Sequence, residues 1–260
     1  MAATRYLKVE PRRPHGELLA EAERLRWLQG RLPVPALRYD GADERQSYML
    51  TSEVPGNDAS DERWLADPAH IVALLAEGLQ LIHCQPIAGC PFDQRLHTEL
   101  ARAAANVAAG AVDASDFDEE RVGRSAASLL DELHATRPSD EELVLIHGDC
   151  CFPNVVIDGW ALSGFIDLGR CGVADRYHDL AQAERSVRRN LGERWVAPFF
   201  AAYGIGVRRA VLRRLRHRRA RGGEAALLPA ARRTFLISGV APVGHSGSKR
   251  KPTGRRREWR

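Results

Sequence analysis

The stretch LVLIHGDCCFPNVVIDGWALSGFIDLG, residues 143–169, decides the fold of this chain. Its first five residues, LVLIH, form an apolar run typical of a buried strand. Two further β-favouring runs, NVVID and LSGFID, flank an Asp-Gly pair, which is a hairpin signal. In an antiparallel hairpin the first residue of one strand lies beside the last residue of the other. The sequence therefore predicts that Asn154 and Asp167 meet at one end of a hairpin, with Asp149 on the loop that enters it.

These three side chains carry the oxygen ligands that Mg²⁺ prefers, and Mg²⁺ completes its shell with water and substrate phosphates. HGD at 147–149 followed by Asn154 matches the H-R-D-x-x-x-x-N loop of kinases except for the glycine, and DLG at 167–169 stands where D-F-G would. A lone HGD is more often a simple turn. The joint pattern favours phosphate transfer, with Asp149 orienting or deprotonating a hydroxyl and the other two residues holding the metal.

A lysine and a glutamate near the start of the chain fit the same chemistry. Residues 4–9 are predicted to form a strand that carries Lys8, and residues 16–30 a helix that carries Glu21. Taken alone, Lys8 would be a solvated strand residue. Together with the residues above, it is interpreted as the strand lysine that grips nucleotide phosphates and pairs with a helix glutamate.

The rest of the chain indicates an α+β architecture with two lobes. Two paired strands are predicted between Pro35 and a Pro-Gly hinge at 55–56, with a turn at 40–43. Beyond the hinge, helices are predicted after Asp67-Pro68 and at 93–109, 124–135, 175–190 and 193–203. A small lobe, a hinge and a larger, mostly helical lobe place a small-molecule site in the cleft between them.

Composition excludes several classes of protein. The 260 residues are 44% hydrophobic and 28% charged, which excludes collagen, disorder throughout the chain and a disulfide miniprotein. No apolar run approaches the ~18 residues of a membrane span, and no secretory signal is visible. An odd number of cysteines without C-x-x-C pairs indicates reduced thiols rather than a zinc site. These features predict a cytoplasmic protein with no membrane partner.

Charge divides the chain into two parts. Residues 207–260 hold 17 Lys and Arg against two Glu, a net charge of +15, and residues 1–206 carry −11. A basic block of this kind is expected to be disordered or to bind polyanions. It lacks the interleaved aromatic residues that stack on bases, so any binding of nucleic acid is expected to be non-specific.

The quoted stretch continues to residue 181 as RCGVADRYHDLA, and it is flanked upstream by EAERLRWLQGRLPVP, SEVPG and GCPFDQRL. In these segments, and across residues 6–204, the chain resembles the aminoglycoside 3'-phosphotransferases, the kanamycin and neomycin kinases. The resemblance implies a protein-kinase-like two-lobe fold with a catalytic β-hairpin. It also implies MgATP as donor and transfer of its γ-phosphoryl group to the 3'-hydroxyl of an aminoglycoside, which confers resistance.

The resemblance also assigns roles to individual residues. Lys8 would contact the ATP phosphates and pair with Glu21, and the backbone of Ser52, Glu53 and Val54 would face adenine. Asp149 would be the catalytic base, supported electrostatically by Arg170, with Asn154 and Asp167 as magnesium ligands. Candidate contacts to the aminoglycoside are Asp118, Glu119 and Arg185, and the acidic body would attract such a polycation.

Both ends depart from the family pattern. Only seven residues precede Lys8 and none is glycine, so we expect the phosphate-covering loop to be absent and a sheet edge to be unpaired. The predicted domains are a partial N-lobe at 1–55, a C-lobe at 56–206 and a disordered or non-native basic tail at 207–260. These departures predict that activity is impaired. Two alternatives stay open: a kinase of another small hydroxylated or amino compound, and a non-catalytic polyanion-binding protein. Oligomeric state is not predicted.

Overall fold

The computed structural model describes residues 4–12, 16–112, 123–205 and 233–237. In chain order the strands are β1 (Arg5–Pro11), β2 (Leu37–Ala42), β3 (Gln46–Ser52), β4 (Asn57–Asp58), β5 (Leu143–Ile146), β6 (Val155–Asp158), β7 (Ala161–Phe165), β8 (Gly172–Asp175) and β9 (Arg233–Ile237). The helices are α1 (Glu17–Leu28), α2 (Glu62–Leu65), α3 (Pro68–His83), α4 (Leu96–Ala108), α5 (Ala126–Thr136), α6 (Tyr177–Leu191) and α7 (Val196–Tyr203).

An antiparallel sheet with the order β2-β3-β1-β9 carries Lys8. Tyr6 and Lys8 of β1 lie opposite Thr51 and Met49 of β3. Since alternate side chains of a strand share a face, these four residues lie on one side of the sheet. Thr51 and Met49 are buried, and α1 packs against β3. The sheet therefore presents Lys8 on the same side as the helix that carries Glu21.

Strand β9 occupies the other edge of β1. Arg5 lies opposite Ile237 and Val9 opposite Arg233. The expectation of an unpaired sheet edge beside Lys8 is therefore wrong, because a strand from within residues 207–260 supplies the backbone partners that this edge requires. The domain limits themselves remain a prediction.

The helical part of the chain is built around α3. Asp67 caps this helix by accepting a hydrogen bond from the backbone N–H of His70, and Pro68 lies in its first turn, as the sequence predicts. Its buried side chains, Ile71 and Leu75 among them, contribute to the main hydrophobic core. The helix packs against α6, α7, β5 and β7. None of the helices in the described ranges is both long enough and apolar enough for a membrane span.

The β6–β7 hairpin turns through Gly159 and Trp160, with Asp158 paired to Ala161. Both turn residues have positive φ, +56° and +64°, the conformation of a type I′ turn. The left-handed backbone of Trp160 is held by a 2.8 Å hydrogen bond between its carbonyl and His70 Nε2. The predicted hairpin is confirmed, and its open end is the end that carries Asn154.

Sequence reasoning placed one turn wrongly and missed four short elements. The β2–β3 turn lies at 43–45 rather than 40–43, because Asp43 Oδ1 accepts hydrogen bonds from the N–H groups of Arg45 and Gln46. The elements missed are β4, α2, β8 and β9. Strand β4 pairs with β6 and β8 with β5, and strands this short carry little periodic signal.

Candidate active site

A cavity of about 500 Å³ lies between the β1–β3 sheet and α1 on one side and the β6–β7 hairpin on the other. Lys8, Glu21, Asn154 and Asp167 all line it, although these residues are far apart in the sequence. The predicted hinge residues Ser52 and Val54 line it as well. Its volume lies within the range of about 300–1,000 Å³ that is usual for small-molecule sites.

The cavity has a polar part and an apolar part. Leu25, Met49, Val156 and Ile166 contribute apolar walls, and Tyr6 adds an aromatic ring. Burial, and secondarily the charge of Glu53, raises the pKa of Tyr6, so its phenol stays protonated at neutral pH. Apolar walls beside hinge backbone suit a purine base, and the charged side chains suit phosphates.

Lys8 joins the helix to the hairpin. Its Nζ lies 2.7 and 3.0 Å from the two carboxylate oxygens of Glu21 and 3.1 Å from Oδ1 of Asp167. The Glu21 side chain is only 3% exposed, whereas that of Asp167 is 41% exposed. A buried carboxylate needs such a partner to offset its lost hydration. The geometry thus has the Lys8–Glu21 pairing that the sequence predicts, with Asp167 beside it.

The loop after β5 brings Asp149 to the same end of the hairpin. Asn154 Nδ2 donates to the backbone oxygen of Asp149 at 2.8 Å, and the Asp149 carboxylate oxygen Oδ2 lies 3.4 Å from it. The N–H of Ile166, the residue before Asp167, donates to the Asn154 carbonyl at 3.1 Å. These bonds bring Asp149, Asn154 and Asp167 together. Asn154 uses only its Nδ2 in the bonds to Asp149, and its side-chain carbonyl oxygen takes no part in them.

Gly148 explains why the loop departs from the H-R-D pattern. Its φ is +88°, and a Cβ built there would lie 2.3 Å from the backbone oxygen of Arg170. Only glycine fits this approach without strain. The structure thus places the backbone of Arg170 against the loop, while the electrostatic role of its side chain stays a prediction. Asp167 also has positive φ, +61°, a strained conformation of a kind that clusters at functional sites.

A buried carboxylate holds the loop from behind. Asp179 Oδ2 accepts from the backbone N–H of His147 at 2.7 Å and Oδ1 from that of Gly148 at 2.8 Å. His83 Nε2 lies 3.2 Å from Oδ2, and its Nδ1 lies 2.6 Å from the hydroxyl of Tyr203. Burial opposes ionisation of Asp179, but the hydrogen bond from His83 and the nearby histidines hold its pKa below the ordinary value. An ionised carboxylate thus fixes the backbone of the loop.

Some predicted site residues are not brought into the cavity. Glu53 is partly buried and its N–H donates to the Thr4 carbonyl at 3.3 Å, but it is not a lining residue. Arg185 is exposed on α6; its neighbour Ser186 accepts a hydrogen bond from the N–H of Phe152 at 2.9 Å. Asp118 and Glu119 lie outside the described residues. Asp149 and Arg170 are likewise not among the residues that line the cavity. The roles of all the predicted site residues stay predictions.

Other residues at the site were missed by sequence reasoning. Tyr6 could have been found, because it precedes Lys8 by two residues and therefore shares its face of β1. Asp179 gives a weaker signal, an acid on the apolar face of a predicted helix. Asp58 lines the cavity from β4, an element that the sequence did not reveal.

Comparison with known proteins gives a consistent result. The sequence matches the profile of the phosphotransferase enzyme family over residues 2–218, beyond residue 204 where the resemblance was expected to end. It is 41% identical over 206 residues to an aminoglycoside 3'-phosphotransferase of Streptomyces fradiae, and the match covers 75% of each chain.

Solved structures agree with the sequence comparison. A crystal structure of aminoglycoside-3'-phosphotransferase of type VIII has a TM-score of 0.75 and 38% sequence identity, covering 84% of both chains. The aminoglycoside phosphotransferase APH(3'')-Id of Streptomyces rimosus, in complex with ADP and streptomycin, has a TM-score of 0.69 and 30% identity, covering 84% of this chain and 86% of that one. The predicted α+β, protein-kinase-like fold is confirmed by this similarity.

Proposed function

Because the chain belongs to the phosphotransferase enzyme family, we propose that it transfers the γ-phosphoryl group of ATP to the 3'-hydroxyl of kanamycin- and neomycin-type aminoglycosides. One observation carries the proposal: Lys8, Glu21, Asn154 and Asp167 line a single cavity. Each belongs to a different part of the phosphate-transfer pattern, and their convergence is what that chemistry requires.

The two ends of the cavity support a nucleotide as one substrate. The apolar walls and the backbone at Ser52 and Val54 suit the base, and Lys8 at the polar end suits the α- and β-phosphates. The similar Streptomyces rimosus enzyme has a solved structure in complex with ADP and streptomycin. Lys8 is already held in place by Glu21 at 2.7 Å, so little side-chain freedom is lost when phosphates bind.

The residues present also fit magnesium. Within the ranges that the structure describes, no group of three or more His, Cys, Asp or Glu side chains could hold a metal ion by itself. Mg²⁺ commonly takes one or two protein oxygens and completes its shell with water and phosphate oxygens. Asn154, through its carbonyl oxygen, and Asp167, through its carboxylate, would supply those protein ligands. When bound, the ion neutralises charge on the phosphates.

Asp149 would accept the proton of the attacking hydroxyl. Its position is set by the hydrogen bond from Asn154 to its backbone oxygen at 2.8 Å and by the bonds of Asp179 to the two preceding N–H groups. A base whose backbone is fixed in this way would lose little freedom on reaching the distance that proton transfer needs. Arg170 would contribute positive charge beside the transferred phosphoryl group.

Charge supports an aminoglycoside as acceptor. Residues 1–206 carry a net charge of −11, and such a field raises the encounter rate with a polycation. Asp118, Glu119 and Arg185 remain the proposed acceptor contacts. The reaction would take place in the cytoplasm, where ATP is available, and needs no membrane. The basic segment 207–260 would bind nucleic acid only non-specifically.

The test compares Asp149→Asn with Asp158→Asn, a matched change at an exposed position of the hairpin. ADP release is measured with ATP, MgCl₂ and either kanamycin or its 3'-deoxy analogue, and the product is identified by mass spectrometry and NMR. We expect phosphorylation at the 3' position only, lost by about 10²- to 10⁴-fold in Asp149→Asn and retained in Asp158→Asn.

Equal turnover by both variants would exclude Asp149 as the base. Phosphorylation of the 3'-deoxy analogue would overturn the 3' assignment while leaving a kinase. A full-length protein that releases no ADP with any aminoglycoside but binds DNA in a salt-dependent manner would favour the polyanion-binding alternative.

A further inference from the structure

Arg24 forms a second connection between α1 and the segment that follows Asp167. Its Nε donates to the backbone oxygen of Cys171 at 2.7 Å, and its Nη1 donates to the Ala20 carbonyl of its own helix at 2.9 Å. The guanidinium carbon lies 4.7 Å from the ring centroid of Phe92. Charged hydrogen bonds of this kind are among the stronger ones, and the aromatic face adds a cation–π contact.

The Cys171 carbonyl and the Phe92 ring, which Arg24 contacts, belong to one packed unit. Cys171 is buried and its N–H donates to the Leu168 carbonyl at 3.0 Å, which closes the turn after Asp167. The Phe92 carbonyl accepts from the N–H of Val173 at 2.7 Å. Arg24 therefore contacts this turn both at its backbone and at the ring packed beside it.

The same helix holds the phosphate-site glutamate. Glu21 precedes Arg24 by three residues, so the two side chains lie on neighbouring positions of one helix face. Glu21 reaches Lys8, and Lys8 reaches Asp167 at 3.1 Å. The helix thus meets the metal-site segment twice, once through Lys8 at Asp167 and once directly through Arg24 at Cys171.

This second contact bears on the strained backbone of Asp167. A residue held at φ +61° keeps that conformation only when its surroundings fix it. The Asp167 side chain is 41% exposed, so packing around the side chain fixes its position only in part. A constraint on the carbonyl at the far end of the turn limits how far Asp167 can move relative to Lys8 and Glu21.

We propose that Arg24 is a positioning residue for phosphoryl transfer, which keeps Asp167 at its distance from the Lys8–Glu21 pair by fixing α1 against the turn 168–171. The inference rests on the proposed function. It requires that loss of Arg24 weaken nucleotide binding and slow phosphoryl transfer, and leave the affinity for the acceptor unchanged. Burial lowers the pKa of Arg24, yet a guanidinium remains charged at neutral pH, so its charged hydrogen bond persists.

The experiment uses Arg24→Met, which keeps the aliphatic stem and removes the donors, and Arg24→Lys, which keeps the charge. Arg31→Met is the matched control. Arg31 Nε donates to the Trp27 carbonyl at 3.0 Å and its guanidinium lies 4.4 Å from the Trp27 ring centroid. It therefore makes the same two kinds of contact as Arg24, but only within its own part of the chain.

For Arg24→Met we expect kcat to fall about tenfold or more, as loss of a charged hydrogen bond would produce. We also expect KM for ATP to rise several-fold, while KM for kanamycin stays within about twofold of that of the wild type. Arg24→Lys should recover part of the loss, and Arg31→Met should match the wild type. Binding of ADP, measured by calorimetry with and without MgCl₂, should weaken more in Arg24→Met when MgCl₂ is present.

A lowered melting temperature with unchanged KM for ATP and unchanged ADP affinity would show that Arg24 only stabilises the fold, and would overturn the proposal. Equal effects in Arg31→Met and Arg24→Met would also overturn it. If the wild type binds ADP but phosphorylates no aminoglycoside, the proposed function fails, whereas the ADP affinities still decide the role of Arg24. If Arg24→Met does not fold, Arg24→Lys carries the same measurements.

Discussion

A methyl group added at Gly148 tests the geometry of the catalytic loop directly. The Cβ of Gly148→Ala would lie 2.3 Å from the backbone oxygen of Arg170 and 2.6 Å from its carbonyl carbon. These contacts are with backbone, so they are not relieved by rotation of a side chain. The loop or the segment around Arg170 must move, and either movement displaces Asp149 from Asn154 and Asp167.

Two costs add at this position. An L-residue at φ +88° pays roughly 1–2 kcal/mol for the left-handed backbone, and the clash adds about 1–3 kcal/mol, as in an overpacked core. Gly148→Ala should therefore lower the free energy of unfolding by about 2–5 kcal/mol. Gly89→Ala isolates the first cost, because Gly89 has φ +75° and no atom within 4 Å of its added Cβ.

The assays are urea unfolding and steady-state phosphorylation of kanamycin. We expect Gly89→Ala to lose about 1–2 kcal/mol and to keep its kcat. Gly148→Ala should lose more stability, and kcat should fall at least about tenfold in the fraction that remains folded, since small misplacements of catalytic groups have large effects. If the two variants lose equal stability and both keep wild-type kcat, Gly148 is not closely packed against Arg170 and the loop geometry is wrong.

Two further predictions concern ionisation. Asp179→Asn should lower the free energy of unfolding by about 3–5 kcal/mol at pH 7. The pKa of Asp179 in the folded protein lies below its ordinary value of 3.8. The stability that the ionised carboxylate contributes is therefore present above pH 3.8 and is lost as the pH falls through the folded pKa. The difference between wild type and variant in urea unfolding should thus shrink at acidic pH, and a constant difference would contradict the ionised state. Burial, with the nearby Asp149 charge, raises the pKa of Cys151 to about 12, so this thiol is protonated and unreactive at pH 8. Iodoacetamide at pH 8 should therefore alkylate the exposed Cys84 well before Cys151, and peptide mass spectrometry follows the two reactions. Faster labelling of Cys151 would show an accessible thiolate in the catalytic loop.

The sequence predicted the parts of the site that depend on local pattern. Asn154 and Asp167 converge because an Asp-Gly pair between two β-favouring runs specifies a hairpin, and a hairpin joins its own ends. The pairing of Lys8 with Glu21 needed more, since residues on a strand and on the next helix can face in several directions. The presence of Asp149, Asn154 and Asp167 in a kinase-type pattern supplied that step, and the resemblance to a known family agreed with it.

What the sequence did not reveal depends on contacts between distant segments. Strand β9 pairs with β1 across more than two hundred residues of chain, and no local pattern specifies the partner of an edge strand. Arg24 reads as one more charge on an amphipathic helix, and only the packed structure brings it to the Cys171 carbonyl. Asp179 lies thirty residues beyond the loop that it holds. Long-range hydrogen bonds of this kind have no periodicity to detect.

The environments of two aspartates explain why one would serve as a ligand and the other as a support. Asp179 is completely buried, and its two oxygens accept two backbone N–H groups and face His83. A carboxylate saturated in this way has no oxygen available to a metal without leaving the loop unsupported. Asp167 is 41% exposed on its side chain and contacts Lys8, a cation that nucleotide phosphates can share. Because hydration is partly retained at Asp167 and fully lost at Asp179, exchange of a water for a metal ion costs less at Asp167. Burial therefore accounts for the proposed division of roles between the two acids.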